Sequence, residues 1–229
     1  MRKINVIKGD MTFQWKYGFY FLYALLVIIY MMIFSFFAGD LKKTIVSICV
    51  YSDPAAMGMF FMGALILLEK SQRIINSIAV SPVTTVEYIG GKVISIGIIS
   101  EIVGLILLAK GYTENIVLSG IGIFLGSIIF SLCGIIVGAK ISSLNQYIIC
   151  TIPFEIVGFL PVIMYRLGFQ SENFLMLIHP GCGVMQLIQG KTEFIIPSLV
   201  SIIIWIALLF VIANKAVKKM FRQSGGVKL

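Results

Sequence analysis

Six apolar runs, each close to the length of a membrane-spanning helix, constrain this chain more than any other feature. A helix needs about 20 apolar residues to cross the hydrocarbon core of a bilayer. Of the 229 residues, 59% are hydrophobic and 12% are charged, and the mean hydropathy is +1.02. One water-soluble core cannot accommodate this composition. We therefore predict an all-α integral membrane protein, one domain over residues 1–229, with six transmembrane helices over residues 17–38, 44–68, 93–109, 116–139, 147–165 and 195–213.

The distribution of the basic residues predicts the orientation of these helices. Six spans place both termini on one side of the membrane, and 13 of the 18 Lys and Arg residues fall on that side. Because cytoplasmic loops carry an excess of Lys and Arg, we expect a protein of the cytoplasmic membrane with both termini in the cytoplasm. The basic residues lie in short segments beside the spans, which favours contact with anionic lipid over nucleic-acid binding. The five basic residues expected outside are Lys42, Lys43, Lys110, Arg166 and Lys191.

The N-terminal segment, residues 1–16, is basic and amphipathic and is followed by Tyr17 at the start of the first apolar run. Such a segment is typical of a helix that lies along the inner leaflet. The apolar run after it is as long as a full span, whereas a secretory signal peptide has a shorter one. We therefore expect residues 1–16 to form an interfacial helix that is retained in the mature protein.

The longest polar interruption between two apolar runs is residues 69–92, which we call the connector. Isoleucines at helical spacing predict a short amphipathic helix near residues 74–79. The next helix has two possible starts: Ser81-Pro82 as N-cap and first residue, or a capping box formed by Thr84 and Glu87. Either start predicts a helix, a stop and a second helix on the cytoplasmic side.

The connector resembles the segment between the second and third transmembrane helices of type 2 ABC exporter permeases. The shared pattern is a charged exit from the span, a hydrophobic step, Ser-Pro, an acidic-aromatic pair and Gly-Lys. In that family this segment is a coupling helix that docks on a separate ATPase subunit. The resemblance therefore implies a role in ATPase coupling for Glu69, Arg73, Ile78, Ser81, Pro82, Glu87, Tyr88 and Lys92.

Three short strings look most like the permease subunits of fluoroquinolone exporters: YGFYFLYA at 17–24, SDP at 52–54 and LLEKSQ at 67–72. This closer resemblance covers roughly the first 100 residues. It implies a transport subunit that exports amphipathic drugs, peptides or lipids and that forms a homodimer or pairs with a sister permease. Two copies of a partner ATPase would carry the ATP and Mg²⁺. The resemblance also implies an external re-entrant hairpin at residues 170–191, in which a short helix follows Pro180.

Polar and adaptable residues inside the spans are candidates for the substrate pathway. Ionisable groups are costly in lipid and often functional, and deeply placed tyrosine hydroxyls need partners. The alternative is a packing role, because Glu101 shares a helix face with Gly97 and Gly104, which allow close approach of another helix. The candidates are Tyr23, Tyr30, Asp53, Met57, Glu101 and Glu155.

Prolines predict kinks or distortions in two spans, and glycines predict close packing in a third. The SDP string predicts a kink or the start of a half-helix, and Pro153 and Pro161 predict a distorted fifth span. In the fourth span one stripe of small residues predicts close packing against neighbouring helices. Its members are Gly122, Gly126, Gly134 and Gly138.

Two other functions compete with drug export. The first is bacteriocin self-immunity within the same family, and the second is a small proton-coupled secondary transporter that would use the three intramembrane carboxylates, although no inverted repeat is evident. Enzyme chemistry is poorly supported, because the one histidine, His179, has only Cys182 nearby and no orienting third group. The four cysteines lack metal-site spacing, and Gly90-Gly91-Lys92 lacks the phosphate-loop pattern. We expect no catalytic residue, no metal and no directly bound cofactor.

Overall fold

The computed structural model describes residues 2–109, 113–168 and 174–224. Within these residues the regular structure is helical, and no strand is present. The α-helices are α1 (Arg2–Lys16), α2 (Phe19–Ser35), α3 (Gly39–Val50), α4 (Met57–Ser71), α5 (Ile74–Ala79), α6 (Thr85–Leu108), α7 (Ile116–Lys140), α8 (Leu144–Arg166), α9 (Pro180–Ile188) and α10 (Ile195–Ser224).

Five helical segments among the described residues are long and apolar enough to cross a membrane. One is the continuous helix Gly39–Ser71, which contains α3 and α4, and the others are α6, α7, α8 and α10. Helices α1 and α2 are bent by 64° at Tyr17-Gly18, and counting this pair raises the number to six. These lengths and compositions confirm the prediction of an all-α, multi-pass membrane protein.

Helix α7 lies at the centre of the molecule, and its glycine stripe lets the neighbouring helices pack closely against it. Gly122 and Gly126 face α9, whereas Gly134 and Gly138 face α4. A Cβ atom added to Gly134 would lie 2.5 Å from the carbonyl oxygen of Met59. The backbones therefore approach too closely for a side chain, and the predicted close packing of this span is confirmed.

The SDP string produces an irregularity within a continuous helix rather than the start of a half-helix. Tyr51–Ala55 forms a π-helical turn between α3 and α4, with Pro54 inside it. Proline lacks the N–H that an α-helix uses, and a π-turn changes the local hydrogen-bond register around it. Helix α8, by contrast, continues through both Pro153 and Pro161.

The predicted re-entrant region contains a 3₁₀ turn, Phe174–Ile178, followed by α9. Residues 169–173 lie outside the described residues. Helix α9 begins at Pro180 as expected, all nine of its residues are buried, and Gly190 follows it with φ +75°. Helix α9 contacts α7, α8 and α10. A short apolar helix is thus enclosed among longer ones.

Helices α2, α8 and α10 present broad apolar faces to the surroundings. Phe21 of α2 is 75% exposed, and Ile149 of α8 and Ile196 of α10 are similarly uncovered. A soluble monomer rarely exposes apolar patches of this extent, so hydrocarbon or another protein chain must cover them.

Candidate functional site

The connector folds as predicted into a short helix, a stop and a second helix. Helix α5 spans Ile74–Ala79, and α6 begins after Thr84. Thr84 and Glu87 form the capping box: the Glu87 N–H donates to Thr84 Oγ1 over 3.2 Å, and the Thr84 N–H donates to Glu87 Oε2 over 2.9 Å. Ser81 does not cap α6, because α6 begins only at Thr85; the Ser81 hydroxyl donates to the Ile78 carbonyl over 2.7 Å and accepts from the Val83 N–H over 3.3 Å within the intervening turn.

A largely buried ionic cluster joins the two ends of the connector to α1. The ammonium of Lys92 donates to Glu69 Oε1 over 2.6 Å and to Asp10 Oδ1 over 3.0 Å. The Tyr88 hydroxyl donates to Glu69 Oε2 over 2.7 Å. Lys92 is only 1% exposed. The cluster therefore links three helices, since Asp10 lies on α1, Glu69 on α4 and Lys92 on α6.

Two further contacts fasten α1 to α6 beside this ionic cluster. The buried Gln14 amide donates to Ser95 Oγ over 2.8 Å. At Gly91 an added Cβ would lie 2.6 Å from the Val6 side chain, so glycine allows the two helices to meet closely. One face of α1 is thus packed on protein, while Trp15, 72% exposed, lies on the other. We expect this second face to contact the membrane interface, and this interfacial position of residues 1–16 remains a prediction.

The structure divides the residues predicted to couple to an ATPase into two groups. Glu69, Tyr88 and Lys92 belong to the ionic cluster and are buried, so their side chains offer no surface to a partner while the cluster is closed. The remaining five are at least partly exposed, and their contact with an ATPase remains a prediction. They are Arg73, Ile78, Ser81, Pro82 and Glu87.

Sequence reasoning did not single out Asp10 as a partner of the connector or Lys70 as a helix cap. The Lys70 ammonium donates to the carbonyls of Gly138, Ala139 and Ile141 over 2.8, 3.0 and 2.7 Å. A cation at this position satisfies carbonyls that the end of α7 leaves unpaired. No local signal identifies this role, because the acceptors lie about 70 positions further along the chain.

The candidate pathway residues at the start of the chain pack mainly against other aromatic and apolar groups. Tyr23 is buried, with its ring centroid 4.8 Å from that of Phe61. Tyr30 is half-buried and stacks on Phe34 at 5.8 Å. These contacts fit the packing alternative, and a substrate contact for either tyrosine remains a prediction.

Asp53 and Met57 lie at the irregular part of the second span. Asp53 is half-buried in the π-helical turn, and its buried Oδ2 has no hydrogen-bond partner among the described residues. Met57 is also half-buried, two residues beyond the turn. An unpaired carboxylate oxygen at this depth is costly, which keeps Asp53 a candidate for substrate or proton contact.

Glu101 is half-buried and lines a groove between α6 and α7. Its predicted neighbours Gly97 and Gly104 pack against α7, where added Cβ atoms would lie 2.8 Å from Phe124 and 2.6 Å from Ile123. The lining of this groove includes neither Asp53 nor Glu155, which is half-buried on α8. The three carboxylates therefore do not share this groove.

An apolar cavity of about 340 Å³ lies between α7, α8, α9 and α10. Phe130, Trp205 and Val184 contribute to its walls, and Tyr51 donates from its hydroxyl to the Gly158 carbonyl over 2.8 Å. This volume is within the range of small-molecule pockets, about 300–1,000 Å³. The cavity is suited to an apolar group and not to a charged one.

His179 and Cys182 lie at the start of α9 and do not form an activated pair. Burial lowers the pKa of the His179 imidazole below its usual range. Burial also raises the pKa of the Cys182 thiol to about 12, so the thiol stays protonated near neutral pH. Since the thiolate is the nucleophile, this arrangement gives no support to thiol catalysis.

Comparisons with known proteins agree with a transport role. No curated protein matches the chain. The family model described as the fluoroquinolones export permease protein family matches residues 1–191, which is most of the 229-residue chain. The matched residues include α1, the connector and α9. The chain is therefore a member of the fluoroquinolones export permease protein family.

Proposed function

We propose that this chain is the membrane-spanning subunit of an ATP-driven exporter and that its connector binds a separate ABC ATPase. The observation that carries this proposal is the exposed apolar surface at the connector. Val80 is 76% exposed and Val86 is 51% exposed, and they flank the exposed Pro82. Apolar side chains that become buried on association are typical anchors of a protein interface. The positive-inside distribution puts this surface in the cytoplasm, where a soluble ATPase can reach it.

The proposed ATP hydrolysis takes place on the partner. No nucleotide-binding motif is recognisable in the 229 residues. An ATP-driven exporter without such a motif needs a partner that hydrolyses ATP, whereas a proton-coupled transporter would not. We propose two copies of an ATPase, with ATP and Mg²⁺ bound there and not on this chain.

The ionic cluster provides a route for movement away from the connector. Lys92 is the last residue of the connector and contacts both Glu69 on α4 and Asp10 on α1. Closure of the ATPases would displace α5 and the start of α6, and the cluster would carry α1 and α4 with them. Helix α7 would then be displaced as well, because Lys70 ties its cytoplasmic end to α4.

Pairing with a second permease copy, or with a sister permease, is part of the proposal. Helices α8 and α10 are mostly uncovered in the single chain, with Ile149 66% exposed and Ile204 60% exposed. One of these faces would meet the second permease and the other would meet lipid. Half-buried Glu155 lies on α8 and would be close to the dimer interface in the arrangement in which the α8 face meets the second permease.

The substrate class that we propose is an amphipathic drug, with fluoroquinolones as the example in the family name. Glu101, Asp53 and Glu155 are the candidate polar contacts, with Tyr23, Tyr30 and Met57 as apolar ones. Glu101→Gln keeps the shape and hydrogen bonding of the side chain and removes the charge. Export that equals wild type at every pH tested would assign Glu101 to packing.

Co-purification tests the connector directly. The tagged protein is isolated from its native membranes, and any partner with ATPase motifs is identified by mass spectrometry. We expect Val80→Asp with Val86→Asp to insert normally but to lose the ATPase and export, because two apolar anchors become charged. Asn76→Asp is the matched control, since it adds a charge at an exposed position on α5 without removing an apolar side chain. A double valine variant that retains the ATPase and exports normally would remove the connector from the mechanism.

Charge at Glu87 needs a separate control because this residue also caps α6. Glu87→Arg is expected to abolish ATPase binding and export by placing like charge against a basic partner. Glu87→Gln keeps a capping group and removes only the charge. If both variants lose the ATPase equally, the charge is the cause. If only the Arg variant does, damage to the cap or the added positive charge is the cause.

A further inference from the structure

A polar pocket of about 170 Å³ lies at the end of the molecule opposite the connector. It is formed by the first turns of α3, the end of α8, the segment before α7 and the residues that follow α9. Three of its lining residues are basic: Lys43, Arg166 and Lys191. These are three of the five basic residues that the charge distribution places outside. Basic residues on the outer side run against the positive-inside trend, so the meeting of three of them at one pocket suggests a local role for their charge.

Arg166 is the best-positioned of these cations. It is half-buried, and its Nε donates to the hydroxyl of buried Ser47 over 2.8 Å. Among the described residues its terminal guanidinium nitrogens make no hydrogen bond and no ion pair within 4 Å. The contact with Ser47 orients the planar guanidinium and leaves its remaining donors available to the pocket.

The local charge balance is positive. Glu114 also lines the pocket, and Asp40 attracts both Lys43, at 3.7 Å, and Arg166. The Lys43–Asp40 pair is weak because its side chains are 57% and 99% exposed. Three cations thus face two carboxylates among the described residues of this region, and the more buried cation has donors to spare.

We infer that Arg166, Lys43 and Lys191 form a binding subsite for an oxyanion, either a carboxylate or a phosphate group. Arginine presents parallel N–H donors that match both groups in a bidentate manner. The pocket is smaller than the usual 300–1,000 Å³ of a site for a whole drug-sized ligand, so it would hold the charged end of a larger molecule. Two sources supply such a group: the carboxylate of an exported fluoroquinolone, or the phosphate of an anionic lipid. The first source rests on the proposed function, and the second does not.

Binding to purified protein in detergent distinguishes the two sources without requiring ATP or a known orientation. The probes are norfloxacin, norfloxacin methyl ester and phosphatidylglycerol, with the drugs followed by fluorescence and the lipid by native mass spectrometry. A substrate subsite predicts that norfloxacin binds about tenfold more tightly than its ester and that Arg166→Gln removes this difference. A lipid subsite predicts that Arg166→Gln weakens phosphatidylglycerol binding about tenfold and leaves the two drugs alike.

Lys42→Gln is the matched control, because Lys42 adjoins Lys43 but does not line the pocket. It should change binding of each probe less than twofold. Lys191→Gln is the second test variant, since this exposed residue can be changed without disturbing the contact with Ser47. We expect a severalfold loss for the same probe that Arg166→Gln affects. If neither pocket variant differs from Lys42→Gln with any probe, the subsite does not exist. The outcome of the connector experiment does not affect this result, because the binding measurements do not involve the ATPase.

Discussion

Replacement of Lys92 by methionine tests whether the ionic cluster holds α1, α4 and α6 together. Methionine is similar in length and flexibility, so the variant removes the charge and three donors with little change in packing volume. Buried Glu69 and partly buried Asp10 are then left without the cation that contacts them at 2.6 and 3.0 Å. Removing one partner of a buried ion pair typically destabilises a protein by about 3–5 kcal/mol. At about 2–4 °C per kcal/mol for a chain of this size, we expect Tm to fall by about 10 °C.

The assay is thermal unfolding of the purified protein in detergent, followed by tryptophan fluorescence. Asp10→Asn and Glu69→Gln combined with Lys92→Met leaves a neutral cluster, so this triple variant should recover most of the loss. Asp10→Asn alone should cost less than Lys92→Met, because the Glu69 contact with Lys92 remains. A Tm for Lys92→Met within about 2 °C of wild type would refute the reasoning. A triple variant as unstable as Lys92→Met would show that packing, and not uncompensated charge, is responsible.

Two further predictions concern single contacts and use the same unfolding assay, and a third concerns topology and uses cysteine labelling. Lys70→Met removes three hydrogen bonds to the end of α7 and should lower the free energy of unfolding by about 2–3 kcal/mol. The control Lys140→Met changes an exposed lysine and should lower it by less than about 0.5 kcal/mol. Equal effects would contradict the capping role of Lys70. Gly134→Val forces a side chain to within 2.5 Å of the α4 backbone and should lower the free energy of unfolding by about 3 kcal/mol or prevent insertion. The control is Gly9→Ala, which has open space around the added methyl group and should leave stability unchanged or raise it. Cysteine at Lys42 should react with an impermeant reagent in intact cells, and reaction only after permeabilisation would reverse the predicted topology.

Most of the helical framework could be predicted because membrane insertion depends on local properties. The length and hydropathy of a run decide whether a helix can span the bilayer, and caps such as Thr84 with Glu87 act within four residues. The glycine stripe of α7 likewise predicts close packing, because glycine allows close approach of a neighbouring helix whichever part of the chain supplies that helix. The sequence left Ser81-Pro82 and Thr84 as alternative starts of α6, since both are chemically suitable. In the structure the helix begins after Thr84, where the reciprocal bonds between Thr84 and Glu87 complete the capping box.

The ionic cluster depended on tertiary structure because its members are far apart in the chain. Asp10 and Lys92 are separated by 82 positions, and Glu69 and Lys92 by 23. A charged residue near the end of a span has the same sequence signature whether it meets a partner protein, lipid headgroups or another buried charge. Only the folded bundle brings both carboxylates to the one ammonium of Lys92 and largely removes the three side chains from solvent. The polar pocket arises in the same way, because the helix ends that carry Lys43 and Arg166 and the segment that carries Lys191 meet only in the folded bundle.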